Sequence, residues 1–553
     1  MNTGAPVPSV RSQSIAFRLW PILLLINLAV IAVCWQFQRS PGYMDSAYYY
    51  IGARQLASGQ GLTEPILWNY LDDPAGLPHP SHTYWMPLTS LVSSLGMLLF
   101  KNTGFLAARI SLSLLAGLLP WLVAALSVRL DPAASPAQRS RRWLLAWVLA
   151  AFSGFYFQYF TLTDSFILYM LLGTGFLWLG FGLKSTAAEP APSGKGLWLR
   201  FLLLGILAGL LHLTRADGLL WLLAAPLAAA WAVGRDFYRQ PRFYGLLLLI
   251  ALGYLSTAGW WLARNLQLYG TPLPGGSQTL WLTMYDDTYA YPANFLTFDH
   301  WWAAGLGSAL SARWDAFLWN LANLVGVQGL VILFPLMLIG LWRLRSRRLV
   351  QAAAALWLLT FAVMTLVFPF AGSRGGYLHS GAAFQPLLWA AVPLGLEAVI
   401  DWGARHRNWK RSQAWSVFGV GLGLLAVALT IGLYATRVIG PQPLTPLWDA
   451  DERTFQQVDL ALISLGAPAD AVIMVNNPPG FNAATRRPAV VIPNGDAATA
   501  LAAACRYDAA YLLLDVNAPA GLRPLFDAPA DTAGLTYLQS TAGVQFYQVT
   551  SCP

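Results

Sequence analysis

Charge is what this 553-residue chain lacks first: Asp, Glu, Lys and Arg together make up 11% of it, against about a quarter in an ordinary soluble domain. With 56% hydrophobic residues and a mean hydropathy of +0.50, a water-soluble globular chain is excluded and a polytopic membrane protein is implied. Cysteine is scarce too. Cys34 lies in the first apolar run, and only Cys505 and Cys552 remain to pair, which requires that their region lie outside the cytoplasm. There is no glycine-rich nucleotide loop, no internal repeat and no low-complexity tract. The net charge of +9 carries no nucleic-acid signature, because the basic residues fall in short loops between apolar runs.

Aromatics are abundant, with 25 Trp and 22 Tyr, many near the ends of apolar runs as in the belts at a membrane interface. Runs of spanning length fall at 15–37, 105–128, 142–160, 165–183, 198–213, 218–234, 243–262, 317–342, 350–371, 380–400 and 413–436, so about eleven transmembrane helices are expected. The pair 198–213 and 218–234 is short and reads equally as broken helices lining a cavity. Met86–Phe100 has Thr89, Ser90, Ser93 and Ser94 in a run shorter than the ~20 residues a span needs, and reads as interfacial.

The positive-inside rule supports that choice. With a cytoplasmic N-terminus and no span at 86–100, Arg129, Arg139, Arg141 and Arg142 fall inside, as do Lys184, Lys195 and Arg200, then Arg235, Arg239 and Arg242. Arg343, Arg345, Arg347 and Arg348, and Arg405, Arg407, Lys410 and Arg411, follow them. The outer face then holds a long first loop (38–104), short turns at 161–165, 214–218 and 372–379, a second long loop (263–316), and everything after about 437. From there to the C-terminus, strand-length runs (471–475, 489–492, 511–514) alternate with helical stretches. The expected organisation is a transmembrane module over 1–437 and a small extracytoplasmic α/β domain over 438–553.

The polar residues that converge on the outer face are Asp45, Asp164, Arg215, Asp217, Arg264, Arg374 and His379. Asp45, in PGYMDSAYYY beside Tyr48, reads either as a helix N-cap or as a base that takes a proton from an acceptor hydroxyl. Asp164, in FTLTDSF, presents the same choice, and ionisable groups this close to a membrane usually have a use. Arg374, among glycines in FAGSRGGYLH, is placed either to grip a phosphate or to snorkel to headgroups. His379 is a partner candidate or a helix-start residue. Arg215 and Asp217 can satisfy each other, and Arg264 reads as an interfacial anchor or a helper. His79 and His82 lack the spacing of a metal site. A divalent cation between Asp45 and Asp164 fits the residue types, but no spacing requires one.

The order of these motifs resembles the GT-C membrane glycosyltransferases. A first apolar helix is followed by an Asp and an aromatic-rich helix ending in Gly-x-Gly (Met44-Asp-Ser-Ala-Tyr-Tyr-Tyr50 through Leu56-Ala-Ser-Gly-Gln-Gly61). A second acid follows in the next outer turn (Asp164), then Thr214-Arg-Ala-Asp-Gly218 and Arg264-Asn265 through Gly270-Thr-Pro272. The similarity is strongest to bacterial polyprenyl-phosphate-sugar-dependent transferases akin to protein mannosyltransferases and lipid A aminoarabinose transferases. The resemblance implies inverting transfer from a polyprenyl-phosphate-linked sugar to a glycan, lipid or protein acceptor, with Asp45 as base or acceptor organiser and Asp164 as second acid. Arg374, Arg215, Asp217, Arg264, His379 and Tyr48 would then bind substrate. Ser46 stands where many relatives carry a second acid, which weakens the case for a metal. A secondary transporter, or a non-catalytic membrane protein that binds a partner through its outer domain, are the alternatives from other classes.

Overall fold

The computed structural model describes residues 20–182, 195–274 and 278–552. Residues 1–19, with the expected cytoplasmic N-terminus, and the basic-loop residue Lys184 lie outside them. The apolar runs fold as helices because a backbone surrounded by hydrocarbon must satisfy its own N–H and C=O groups. In chain order they are α1 (Trp20–Cys34), α2 (Met44–Ala57), α3 (Leu88–Phe100), α4 (Phe105–Arg129), α5 (Pro136–Ala151), α6 (Phe166–Phe181), α7 (Lys195–Thr214), α8 (Leu219–Val233) and α9 (Pro241–Tyr269). The bundle continues with α10 (Gly305–Ala322), α11 (Phe334–Arg343), α12 (Arg348–Ala362), α13 (Gln385–His406) and α14 (Val420–Tyr434).

Among the described residues seven helices are long and apolar enough to cross a membrane, and four shorter apolar helices accompany them. The chain is a multi-pass α-helical membrane protein. Leu248, Leu252, Leu255, Leu424 and Ile431 are exposed on the bundle surface, where lipid replaces water as the neighbour.

Two expected spans are interrupted. The 142–160 run leaves the α-helix at Ala151, because Gly154 takes φ +64°, and continues as a 3-10 turn over Gly154–Tyr159. The 317–342 run breaks between α10 and α11, where Leu330 and Val331 both have positive φ ahead of Pro335, which occupies the first turn of α11 and has no N–H to donate. The 198–213 and 218–234 runs, by contrast, form helical segments of 20 and 18 residues (Lys195–Thr214 and Ala216–Val233, the second opening with a 3-10 turn over Ala216–Gly218 ahead of α8), separated by Arg215 alone.

At the end of the bundle with the basic loops, Arg142 is fully buried and forks onto Glu397 through Nε (2.8 Å) and Nη2, while Nη1 bonds Asp131 at 3.0 Å. The opposite end carries the site and a six-stranded sheet. β1 (Thr63–Glu64) pairs antiparallel with β3 (His79–Pro80), and between them β2 (Ile66–Leu67) leaves the first loop to join the C-terminal strands. These are β4 (Val472–Val475), β5 (Ala489–Val491), β6 (Ala509–Leu514), β7 (Leu535–Thr541) and β8 (Val544–Val549), in the order β2-β5-β4-β6-β8-β7. The first four run parallel, β8 is antiparallel to β6, and β7 is antiparallel to β8. Parallel neighbours need crossovers, and α16 (Pro478–Thr485) and α17 (Ala497–Arg506) supply them, after α15 (Ala450–Ser464) has entered from the bundle.

Successive strand residues point to opposite faces, so β2 contributes to both. Ile66 joins Ile473, Val475, Ala489, Leu513 and Phe546 on one face, where α15, α16 and the Tyr48, Tyr49 and Ile51 side chains of α2 cover them. Leu67 joins Met474, Val490, Leu512 and Leu514 on the other, covered by α17 and by Leu282, Ala290, Ala293 and Leu296 of the second long loop. Cys505, at the end of α17, is disulfide-bonded to Cys552, with Cα atoms 5.7 Å apart.

Candidate active site

Asp45 occupies the first turn of α2. Tyr43 is the N-cap, with no side-chain capping bond, so the Asp45 carboxylate is not spent as the helix cap, although an acid there is favoured by the helix dipole. Asp164 precedes α6, with Ser165 as N-cap. Its Oδ1 accepts from Ser165 Oγ at 3.1 Å, and the Ser165 and Phe166 amides lie close enough to favour its ionised form. Its Oδ2 is buried without a hydrogen-bond partner.

His379 stands between the two acids. Nε2 is 3.7 Å from Asp45 Oδ2 and Nδ1 is 3.5 Å from Asp164 Oδ1. Its ring stacks on Phe166 at 4.0 Å between centroids and 23° between planes, which fixes the imidazole plane. Burial lifts the Asp164 carboxyl to about 7, against the bonds from Ser165. It lifts Asp45 to about 6, opposed by the charge of Arg215. The Asp45 side chain is still 27% exposed, whereas Asp164 has no exposed surface. One acid can meet a substrate and the other is enclosed.

Arg215 is held in place. Nε bonds Asp217 Oδ1 at 2.8 Å, and Nη2 reaches Ser380 Oγ at 3.3 Å and the Gly376 carbonyl at 3.5 Å. Asp217 is satisfied on its other oxygen by Tyr169 Oη (2.9 Å), which in turn accepts from Trp221 Nε1 (3.0 Å). Arg374 lies on the same 372–380 segment as His379. Its side chain is exposed, with no ion-pair partner among the described residues, and its guanidinium sits 4.3 Å over the Tyr285 ring of the second long loop. Gly375 next to it takes φ +110°, and a side chain on Gly372 would meet the Met364 carbonyl at 1.9 Å. The bend that presents Arg374 therefore needs glycine at both places.

Two expected residues lie elsewhere. Tyr48 points into the sheet-facing core, where its Oη accepts the His82 amide at 2.7 Å and bonds Glu64. Arg264 donates to the Leu62 carbonyl (3.0 Å) and Asn265 Oδ1 (3.1 Å) and packs on Trp261, so it ties the first loop to α9. Sequence reasoning missed Tyr49, which feels the charges of Arg215, Asp45 and Asp217 and bonds Ser165. Tyr49 is four residues after Asp45, a spacing that puts side chains on one helix face; that signal was present.

The chain superposes along nearly its full length on ArnT from Cupriavidus metallidurans in the apo state, with a TM-score of 0.54 and 13% identity over 97% of this chain and 98% of that one. ArnT from the same organism bound to undecaprenyl phosphate gives 0.52 and 13% over 96% and 98%. The chain has the GT-C fold. The archaeal oligosaccharyltransferase AglB from Archaeoglobus fulgidus, in complex with an inhibitory peptide and a dolichol-phosphate, shares the GT-C fold at a TM-score of 0.52 and 14% identity over 97% and 75%. No family model matches the chain, and no curated protein matches it.

Within this GT-C frame, Asp45, Asp164 and His379 bring together the oxygen and imidazole donor types a divalent cation takes, but not in the arrangement one needs. Their spacing is that of a carboxylate–imidazole–carboxylate row. Among the described residues no group of three or more His, Cys, Asp or Glu side chains has the geometry of a metal site. At 3.7 and 3.5 Å the two contacts are longer than hydrogen bonds, and burial, with the charge of Arg215, disfavours the charged imidazole, so the row sets a neutral ring between two acids with a fixed cation, Arg215, beside it.

Proposed function

We propose that the chain is an inverting glycosyltransferase that moves a sugar from a polyprenyl-phosphate donor to a hydroxyl of a glycan, lipid or protein acceptor at the extracytoplasmic face of the membrane. The observation that carries this reading is the row Asp45–His379–Asp164 with a raised, partly exposed Asp45, set on a GT-C fold. The solved structures of this fold with bound undecaprenyl phosphate and dolichol-phosphate support the carrier class.

In the proposed reaction the acceptor oxygen forms a bond to the anomeric carbon as the bond from that carbon to the carrier phosphate breaks. Asp45 takes the acceptor proton, and His379 and Asp164 hold its carboxylate in line. The leaving phosphate gathers negative charge, which Arg374 is free to meet and Arg215 is close enough to temper. Tyr48 and Arg264 act through the first loop, not on the sugar. The C-terminal sheet, with residues 438–553 as its main source, stands outside the cytoplasm. The Cys505–Cys552 bridge supports that orientation, as do the basic loops gathered at the far end of the bundle.

The test is transfer from a radiolabelled polyprenyl-phosphate sugar to a panel of acceptors by purified protein. Asp45→Asn is expected to abolish transfer while donor binding persists. Undiminished transfer by that variant overturns the role given to Asp45, and failure of the wild type to consume any such donor overturns the class.

A further inference from the structure

Nine residues beyond Asp45 on α2 stands Arg54. At about 100° per residue, nine positions carry a side chain to the opposite face of the helix and about 13 Å along it, away from the acids. Arg54 is 6% exposed. Its Nη2 donates to Asn482 Oδ1 of α16 at 2.5 Å, while Nη1 is buried with no hydrogen-bond partner among the described residues. Arg486, the residue that ends α16, approaches the same place. Its Nη2 donates to Tyr50 Oη at 3.2 Å, and the two guanidinium carbons lie 5.6 Å (Arg54) and 5.9 Å (Arg486) from the centre of the Tyr50 ring.

Neither arginine has a carboxylate partner among the described residues, although the adjacent Arg487 pairs with Asp459 at 2.5 Å. Burial and the charge of Arg486 pull the Arg54 guanidinium down to about 10. Simple helix capping by Arg486 and an amide bond for Arg54 leave the enclosed Nη1 unexplained, and a buried charged donor without an acceptor is costly.

The surroundings indicate which anion fits. Tyr50 Oη donates to the Thr103 carbonyl, and its ring meets Phe105, the first residue of α4, edge-on at 5.6 Å. Just before this, the last turns of α3 expose Leu95, Leu98, Leu99 and Phe100, each more than half exposed, and Lys101 follows. The arginine pair thus sits level with the point where a spanning helix enters the apolar layer and beside a helix that lies on it, which is the depth of lipid headgroups.

We propose that Arg54 and Arg486 bind the phosphate of an anionic phospholipid, whose acyl chains lie along the exposed face of α3. The bound headgroup supplies the missing counter-ion between α2 and α16. Transfer chemistry plays no part in this proposal.

The test compares thermal unfolding of full-length protein in nanodiscs of phosphatidylcholine with and without phosphatidylglycerol, for wild type, Arg486→Gln and Arg486→Glu. Phosphatidylglycerol is expected to raise the wild-type Tm, Arg486→Gln to lose most of that rise, and Arg486→Glu to match or exceed wild type in phosphatidylcholine alone, since it gives Arg54 a carboxylate. Native mass spectrometry is expected to show retention of phosphatidylglycerol about tenfold or more weaker in Arg486→Glu. Binding at the basic loops is common to all three proteins and cancels in the comparison. Equal responses to phosphatidylglycerol in wild type and both variants overturn the site. Inorganic phosphate in phosphatidylcholine discs reproducing the wild-type-specific rise overturns the lipid assignment in favour of a soluble anion.

Discussion

Asp45→Asn separates a reactive carboxylate from a structural one by moving stability and activity in opposite directions. Folding lifts this carboxyl from 3.8 to about 6, chiefly by burial, so the ionised form is the costly one. At about 1.4 kcal/mol per tenfold, and with a quarter of the side chain still solvated, holding it ionised costs roughly 2–3 kcal/mol. The stability contributed by the neutral carboxyl is fully present below pH 4 and is lost as pH rises through 6. Asparagine carries no such cost. At pH 8 Asp45→Asn is therefore expected to unfold at a higher temperature than wild type, with the gap closing by pH 4, while transfer falls by about 10²–10⁴-fold for loss of a general base. Melting of detergent-solubilised protein across pH 4–8, paired with the transfer assay, reads both. A variant less stable than wild type at pH 8, or a stability gap that ignores pH, refutes the reasoning and returns Asp45 to the role of a helix-start residue.

The wild-type rate is expected to fall below about pH 6 as Asp45 takes up its proton, and a profile flat from pH 5 to 8 would contradict that. Arg374→Ala is expected to raise the donor KM and lower kcat together, because an exposed guanidinium with no carboxylate partner among the described residues is available for the phosphate; unchanged donor affinity in equilibrium binding counts against it. Cys505→Ser opens a 47-residue loop and is expected to cost about 4 kcal/mol of stability of the sheet region, measured as a lower melting temperature under non-reducing conditions with transfer retained at low temperature. Truncation after Gly440 strips the cover from Ile66, Leu67 and the Tyr48 and Tyr49 face of α2, so the truncated protein is expected to aggregate or lose transfer; full activity would show α2 to be self-supporting.

The helical fold was legible because apolar runs and basic loops are one-dimensional signals, and hydrocarbon leaves the backbone few alternatives. The breaks were not, since Leu330 and Val331 look helical in sequence and adopt positive φ only where the chain turns toward Pro335. The convergence of Asp45, Asp164, Arg215 and His379 at one end follows from connectivity. That His379 comes between the two acids does not, because its position depends on the 372–376 bend and on the Phe166 ring it stacks on. Tyr48 and Tyr49 were indistinguishable by composition; both pack on the sheet-facing core, and only the packing shows that Tyr48 bonds the His82 amide while Tyr49 feels the charges of Arg215 and Asp45.

A two-residue strand would ordinarily be too short to matter, yet β2 decides how Asp45 is held. Its hydrogen bonds to β5 run parallel, a pairing with no local turn to set it, so its register comes from Ile66 and Leu67 seated in opposite cores. The same α2 that begins with Asp45 packs Tyr48, Tyr49 and Ile51 onto one of those cores. The approach to α2 is anchored as well: Asp449 Oδ1, just ahead of α15, accepts the Arg39 and Ser40 amides at 3.0 Å each and Ser40 Oγ at 2.8 Å. The Trp448 indole fills the space where Gly42 would carry a side chain. Residues after 437 thus hold the segment before Asp45, the helix that carries it, and the strand that follows. A carboxylate kept at a raised pKa must be prevented from relaxing toward water, and these contacts supply that restraint from outside the bundle.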